Sequence, residues 1–224
     1  MSYMIYNIQI SDRKRSSVIN YINKNKNNGP FTVIDIGGSM VGWSIPYIDA
    51  IVDSNPCVNA KANIRFFCFD ITDPEQWGEL LQYVRENGKY DFCICTHTLE
   101  DIMNPGFVCR KICEIAKEGY IAFPSKYREL SRGLDNSVYN YRGYIHHRWI
   151  FTVDTETQTL VAFPKINYLD SNPVFDQVAN PSDSVRDLNF FWKDTIEFEY
   201  LNGNFLGPNV ETVLKLYERL LDVR

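Results

Sequence analysis

The stretch FTVIDIGGSMVGWSIP, Phe31–Pro46, sets an apolar, β-branched run against an acid, two glycines, a serine and a third glycine. The run closing on Asp35-Ile36-Gly37-Gly38 predicts a buried strand over 31–36 that turns sharply at its end. Glycine at such a turn lets the main chain approach a bound molecule, because no Cβ stands in the way. The pattern fits a nucleotide phosphate, another adenosine cofactor, or a turn that holds nothing. A dinucleotide site would ask for GxGxxG opening a long helix at a pyrophosphate. Here the pattern is GGSxxG, and Pro46 in the following WSIPYIDA leaves room for only a very short helix. No GxxxxGK[ST] occurs, which excludes a P-loop.

Working outward, strand and helix signals alternate. IDAIVD (48–53), IRFFCFDI (64–71), YDFCICT (90–96) and GYIAFP (119–124) read as further strands of nearly continuous apolar character. DPEQWGELLQYVREN (73–87) has Trp77, Leu80, Leu81 and Val84 at helical spacing, with Asp73 as N-cap before Pro74, and PGFVCRKICEIAK (105–117) reads as a helix opening at Pro105. Buried strands separated by helices predict an α/β fold, a mostly parallel sheet with helices on both faces. After Pro124 the rhythm changes. GYIHHRWIFTVDTETQTLVAFPK (143–165) reads as a β-hairpin around DTETQT, 170–183 as a polar, Pro/Asn-rich stretch, DTIEFEYL (194–201) as a strand and NVETVLKLYERLLDVR (209–224) as an amphipathic helix. NKNKNN (23–28) reads as a solvated loop before the first strand. No linker separates domains, so the expectation is one domain over 1–224: a lead-in to 29, a ligand-binding core over 30–125, and a substrate-side, hairpin-rich elaboration over 126–224.

Composition narrows the function classes. Hydrophobic residues make up 45% and charged residues 23% of the 224, ordinary for a soluble globular chain. The net charge of -5 argues against a general nucleic-acid binder. Six cysteines (Cys57, Cys68, Cys93, Cys95, Cys109, Cys113) include no CxxC and fall mostly in apolar strand and helix runs, so they read as reduced core thiols. With no signal-peptide pattern and no apolar run approaching a membrane span of about 20 residues, a cytoplasmic protein is expected. The aromatic share of 14% exceeds ordinary core needs and suits a groove for sugar-like or planar ligands, with core packing an equal contender.

In a parallel α/β sheet, ligands bind outside the carboxyl ends of the strands. The first strand ends at Asp35-Ile36-Gly37-Gly38-Ser39. The second ends at Asp53, an acid placed to accept from ribose hydroxyls, and the third at Asp70-Ile71, placed to meet an adenine. The fourth ends at Thr96-His97-Thr98. The ordered series VIDIGGS, AIVDSNP, FFCFDITD, YDFCICTHTLEDIMNP and GYIAFPSK resembles the successive motifs of class I S-adenosylmethionine-dependent methyltransferases, over roughly residues 30–125. GYIAFPSKYREL and YRGYIHHRW further resemble a subgroup of small methyltransferases associated with glycan modification.

The resemblance implies a Rossmann-like fold and a binding site for S-adenosylmethionine, with S-adenosylhomocysteine as product. It implies that Asp35, Gly37, Gly38 and Ser39 hold the amino-acid end, Asp53 the ribose, Asp70 and Ile71 the adenine, and that Thr96 and His97 border the sulfonium and the acceptor. Ser39 and Val41 stand where the family has glycine, with Gly42 displaced by one. The implied reaction is O-methylation of a sugar hydroxyl on a glycan or nucleotide sugar; another small molecule, a protein acceptor, or a non-catalytic methyltransferase-like binder are the alternatives. A hydroxyl acceptor needs a base, and the three histidines of the chain, His97, His146 and His147, all fall in candidate-site segments. In a strand, His146 and His147 would point to opposite faces, so that at most one meets the pocket. A divalent ion on Glu100, Asp101 and Asp70 is an alternative activator, although Glu100 and Asp101 read equally as first-turn helix acids. Arg148 reads as a surface ion pair, with a substrate carboxylate or phosphate as the alternative partner, and Tyr139, Tyr141, Tyr144 and Trp149 as sugar-stacking or packing rings. Partners are therefore a small molecule or glycan, with no nucleic acid or membrane, and the oligomeric state is left open.

Overall fold

The computed structural model describes residues 15–56, 63–135, 140–178, 182, 185–201, 215 and 218. The predicted helix over 209–224, Cys57 and Tyr139 fall wholly or almost wholly outside the described residues. The chain forms two compact units. The first takes the described residues through Leu99, then Met103–Ala122 and Asn189–Ile196; the second takes Glu100–Ile102, Phe123–Leu188 and the described residues from Glu197 on.

In the first unit, β1 (Val33–Ile36), β2 (Ala50–Asp53), β3 (Arg65–Cys68), β4 (Tyr90–Thr96) and β5 (Ala116–Pro124) join β8 (Asp187–Lys193) in a six-stranded sheet of order β3-β2-β1-β4-β5-β8. β1 to β5 pair in parallel, so their carboxyl ends share one edge. The sheet is the predicted α/β, Rossmann-like one. β8 is a strand the sequence reading left unassigned. Ser125 N–H bonds to Arg186 at one end of it, and Asp194 N–H bonds to Lys117 at the other, so β8 runs antiparallel to β5. Its signal was weak, because Asp187 and Asn189 interrupt the apolar run before Phe190, Phe191 and Trp192, all three buried.

Residues 23–28 are not a loop. They complete helix α1 (Arg15–Asn28), which buries Val18 and Ile22, one turn apart, against Val33, Phe92 and Ile94. The helix is polar overall, and packing of that narrow stripe rather than propensity decides it. On the other face lie α2 (Gly78–Asn87) and α3 (Pro105–Ile115): Tyr83 meets Phe67, and Trp77 meets Phe107. Asp73 caps the 3-10 turn before α2 by accepting from Glu75 N–H, and Asn104 caps α3 by accepting from Phe107 N–H. Cys68, Cys93, Cys95, Cys109 and Cys113 are reduced thiols; Cys68 is exposed rather than in the core.

In the second unit, β6 (Trp149–Asp154) and β7 (Thr159–Pro164) form the predicted antiparallel hairpin, and β9 (Phe198–Tyr200) adds in parallel to β7. Leu130, Ile150, Val161, Phe163, Leu169 and Phe175 make its core, with short helices α4 (Lys126–Leu130) and α5 (Tyr168–Ser171). The guanidinium of Arg142 is wholly buried there. It donates to the carbonyls of Leu169, Leu130, Phe175 and Asn172 and to Asp176 Oδ1. No described helix is long and apolar enough to cross a membrane.

Candidate functional site

Asp35 sits in the central strand of the sheet, flanked by Ile51 of β2 and Ile94 of β4. Strand alternation turns it to the same face as Val33, and it is only 3% exposed. Ser44 donates to Oδ2, whereas Oδ1 is buried with no hydrogen-bond partner. Burial lifts its carboxyl to about 7; the Ser44 bond offsets part of that rise and the charge of Asp53 adds to it. Such a group is a carboxylate short of a donor.

The two glycines that follow are required by their surroundings. Gly37 has φ 72 and donates to Val52 O at 2.9 Å; a Cβ on it would lie 2.3 Å from Thr98 Cγ2. A Cβ on Gly38 would lie 2.4 Å from Asp35 Oδ2. The departures at 39 and 41 also find a reason. Gly42 N–H closes a tight turn on Ser39 O at 2.7 Å, and a Cβ at Gly42 would meet that oxygen at 2.8 Å. Val41 stands out at the tip, 94% exposed. Residues 40–47 continue as successive turns where the sequence left room for a very short helix.

The remaining predicted residues occupy the same edge in strand order. Asp53 ends β2, and Oδ1 accepts from the N–H and Nδ2 of Asn55, which leaves Oδ2 outside that turn. Asp70 Oδ1 accepts from Thr72 N and Oγ1, so this acid shapes the turn into the 3-10 helix. Ile71 is buried, and its carbonyl accepts from the Trp77 indole at 3.1 Å. Thr96 ends β4, half-buried, its carbonyl accepting from Thr98 Oγ1. His97 is exposed in a left-handed turn, φ 53, with its N–H on Ala122 O at 2.9 Å. Sequence reasoning missed Ser44 and placed Thr98 only at the end of the fourth strand; the parts they play follow from chain closure around Asp35 and Gly37.

The second unit holds another constellation. Ser125 Oγ caps α4 by accepting from Arg128 N–H, and the helix turns Glu129 inward to 1% exposure. His147 Nδ1 lies 2.6 Å from Glu129 Oε1, and Lys165 Nζ lies 2.9 Å from Oε2. His146 and His147 lie in the turn before β6, not in a strand, so the expected opposition of their faces does not hold. Their rings meet edge to face at 4.4 Å, and both Nε2 atoms face Asp101 Oδ1, at 3.9 Å and 3.6 Å. The three ligand atoms lie within 4.8 Å of one another.

Arg148 makes no surface ion pair among the described residues; its Nε donates to the Asp101 carbonyl. Trp149 donates to Ile102 O and packs on Tyr200, while Tyr144 packs on His147 and accepts from Arg128. Tyr141 is exposed. Of the three acids offered for a metal, Asp101 alone is grouped with histidines, and Glu100 is buried. Glu129 escaped notice because YREL reads as an exposed helix end.

No protein-family model and no curated protein sequence matches the chain. Among solved structures it is similar to the N-terminal domain of EvdMO1 with SAH bound, at 9% identity, covering 95% of this chain and 73% of that one with a TM-score of 0.36. It is also similar to that domain in the presence of SAH and D-fucose, at 8% identity, covering 93% and 73% with a TM-score of 0.34. At this identity the site rests on the chain's own residues.

Proposed function

We propose that this chain is an S-adenosylmethionine-dependent O-methyltransferase, one domain over 1–224, whose cofactor lies along the carboxyl edge of β1 to β4. The observation that carries the reading is Asp35: a buried carboxylate with an unpartnered oxygen, two residues before a glycine pair that admits no side chain. A cationic donor such as the cofactor's ammonium satisfies Oδ1, and the chain at Gly37, Gly38 and Ser39 receives the adjoining amino-acid end. Asp53 Oδ2 takes the ribose hydroxyls, Asp70 and Ile71 border the adenine, and Thr96 the sulfonium.

The bound cofactor supplies an already activated methyl group, so the protein's work is to orient the acceptor oxygen and receive its proton. We assign the proton to His97, which stands exposed on the turn after β4 in the same unit as these residues. The acceptor is assigned to a sugar hydroxyl of a glycan or nucleotide sugar, on the resemblance carried by GYIAFPSKYREL and YRGYIHHRW.

Calorimetric titration of the full chain with S-adenosylmethionine and S-adenosylhomocysteine tests the cofactor site. Binding that Asp53→Ala weakens about 10-fold is expected, roughly the loss of one charge-assisted hydrogen bond. No heat at millimolar cofactor sinks the reading. The tight Ser39–Gly42 turn would then favour the second reading, a methyltransferase-like fold that only binds a partner. Transfer of a labelled methyl group across a panel of sugars, nucleotide sugars, small phenols and peptides, with and without EDTA, identifies the acceptor class.

A further inference from the structure

We propose that Asp101, His146 and His147 are the protein ligands of a divalent transition-metal ion held in the second unit. The spacing of their atoms is the first reason. The two Nε2 atoms stand 3.9 Å and 3.6 Å from Asp101 Oδ1. An N–H···O bond would close to about 2.7–3.2 Å. Two ligands of a tetrahedral ion, each about 2.1 Å from it, lie about 3.4 Å apart. These separations are too long for hydrogen bonds and a few tenths of an ångström from those of a shared ion.

Proton placement is the second reason. Glu129 is buried beside Lys165, accepts from Lys165 Nζ at Oε2, and faces His147 Nδ1 from Oε1. A carboxylate only accepts, so Nδ1 of His147 carries hydrogen, and Nε2 is the ring atom left to coordinate an ion. Nε2 faces Asp101 Oδ1, a buried oxygen with no hydrogen-bond partner. A cation between Nε2 and Oδ1 gives that oxygen the partner it lacks. The positive charge of Lys165 is taken up by Glu129, and Arg148 donates to the Asp101 carbonyl rather than to its carboxylate. Neither neutralises the carboxylate of Asp101.

The supporting shell is built as metal sites build theirs. A carboxylate on the far nitrogen of a ligating histidine fixes its tautomer and raises its basicity. Here that carboxylate is Glu129, itself anchored by Lys165, while the Tyr144 ring packs against His147 at 4.7 Å. Two imidazoles and one carboxylate suit a borderline ion such as Zn²⁺, Mn²⁺, Co²⁺ or Fe²⁺ in preference to Mg²⁺ or Ca²⁺, which favour all-oxygen sets. Three protein ligands leave positions open for water or for an oxygen of a bound molecule. As ligands, His146 and His147 are withdrawn from the role of general base, in keeping with the assignment of His97.

The test uses the full chain after dialysis against a chelator, titrated with Zn²⁺ by calorimetry and with Co²⁺ by its visible absorption. One ion per chain with micromolar or tighter affinity is expected, with Mg²⁺ and Ca²⁺ failing to compete at millimolar concentration. His146→Ala removes an exposed side chain without touching the core, so its fold is secure; it and Asp101→Asn should each weaken binding at least about 10-fold. Glu129→Gln should weaken it by about 10–100-fold while leaving the ligand count unchanged. Failure to bind either ion, or Zn²⁺ affinity unchanged in His146→Ala, overturns the proposal, and a protonated His147 bridging Glu129 and Asp101 replaces it. Cofactor titration is a separate measurement. Metal uptake without cofactor binding leaves this site standing and removes the methyltransferase reading, and the reverse outcome does the opposite.

Discussion

Asp35 pairs a cost with a use. A carboxyl group raised to about 7 by burial binds its proton more tightly in the folded chain than in the unfolded chain, whose value is near 3.8. Its contribution to stability is therefore fully present below about pH 4 and is lost as pH rises through about 7. Asp35→Asn should cancel that loss. The gap between variant and wild-type urea midpoints should open from pH 4.5 to pH 8 in favour of the variant, with a rise in melting temperature of about 2–4 °C for each kcal/mol recovered. Cofactor binding should go the other way. Affinity for S-adenosylmethionine should rise with pH through about 7, with a proton released on binding and read as a buffer-dependent heat, and Asp35→Asn should abolish that dependence. Gly38→Ala forces a methyl group onto a carboxylate pinned by Ser44, and should lower stability by about 1–3 kcal/mol, measured by denaturant titration.

The elements divide by how local their causes are. β1, β2 and β4, with α2 and α3, were legible because each carries its own signal: continuous apolar runs, a helical stripe, Asp73 as a cap, Pro74 and Pro105 at first helical positions. α1 and β8 were not. α1 is a polar sequence held by Val18 and Ile22, so Ile22→Ala should cost about 2–4 kcal/mol and appear as a lower denaturation midpoint. Asn104→Ala, at a helix whose own stripe is strong, should cost only about 1 kcal/mol. β8 depends on pairing with β5, which is distant in sequence, and such pairing leaves no trace within the strand's own seven residues.

At the scale of the whole molecule, Arg142 ties the second unit together. Five acceptors from segments around Leu130, Leu169, Asn172, Phe175 and Asp176 converge on one buried guanidinium. Removing it leaves those carbonyls without a donor in a dry interior, so Arg142→Met should destabilise by about 3–5 kcal/mol. Arg142→Lys should not rescue, since an ammonium lacks the planar fork. Hydrogen exchange at the β6 and β7 amides reads the effect.

The sequence by itself determined the order of β1 to β5, α2 and α3 in the first unit, the hairpin of the second, and the row of Asp35, Asp53, Asp70 and Thr96 along one sheet edge. Periodicity, caps and glycine are local physics, and parallel pairing brings the strand ends together once the strands exist. Only the tertiary structure decided that Asp35 lacks a donor on one oxygen, that Ser44 closes on it and Thr98 on Gly37, and that Arg142 is a buried hub. Only there do His146 and His147 turn together toward Asp101, with Glu129 behind them. The physical reason is separation along the chain. His147 and Glu129 are 18 residues apart, and Trp149 bonds to a carbonyl 47 residues away. Burial and proton placement at such distances are set by packing, and no short window of sequence contains the partner.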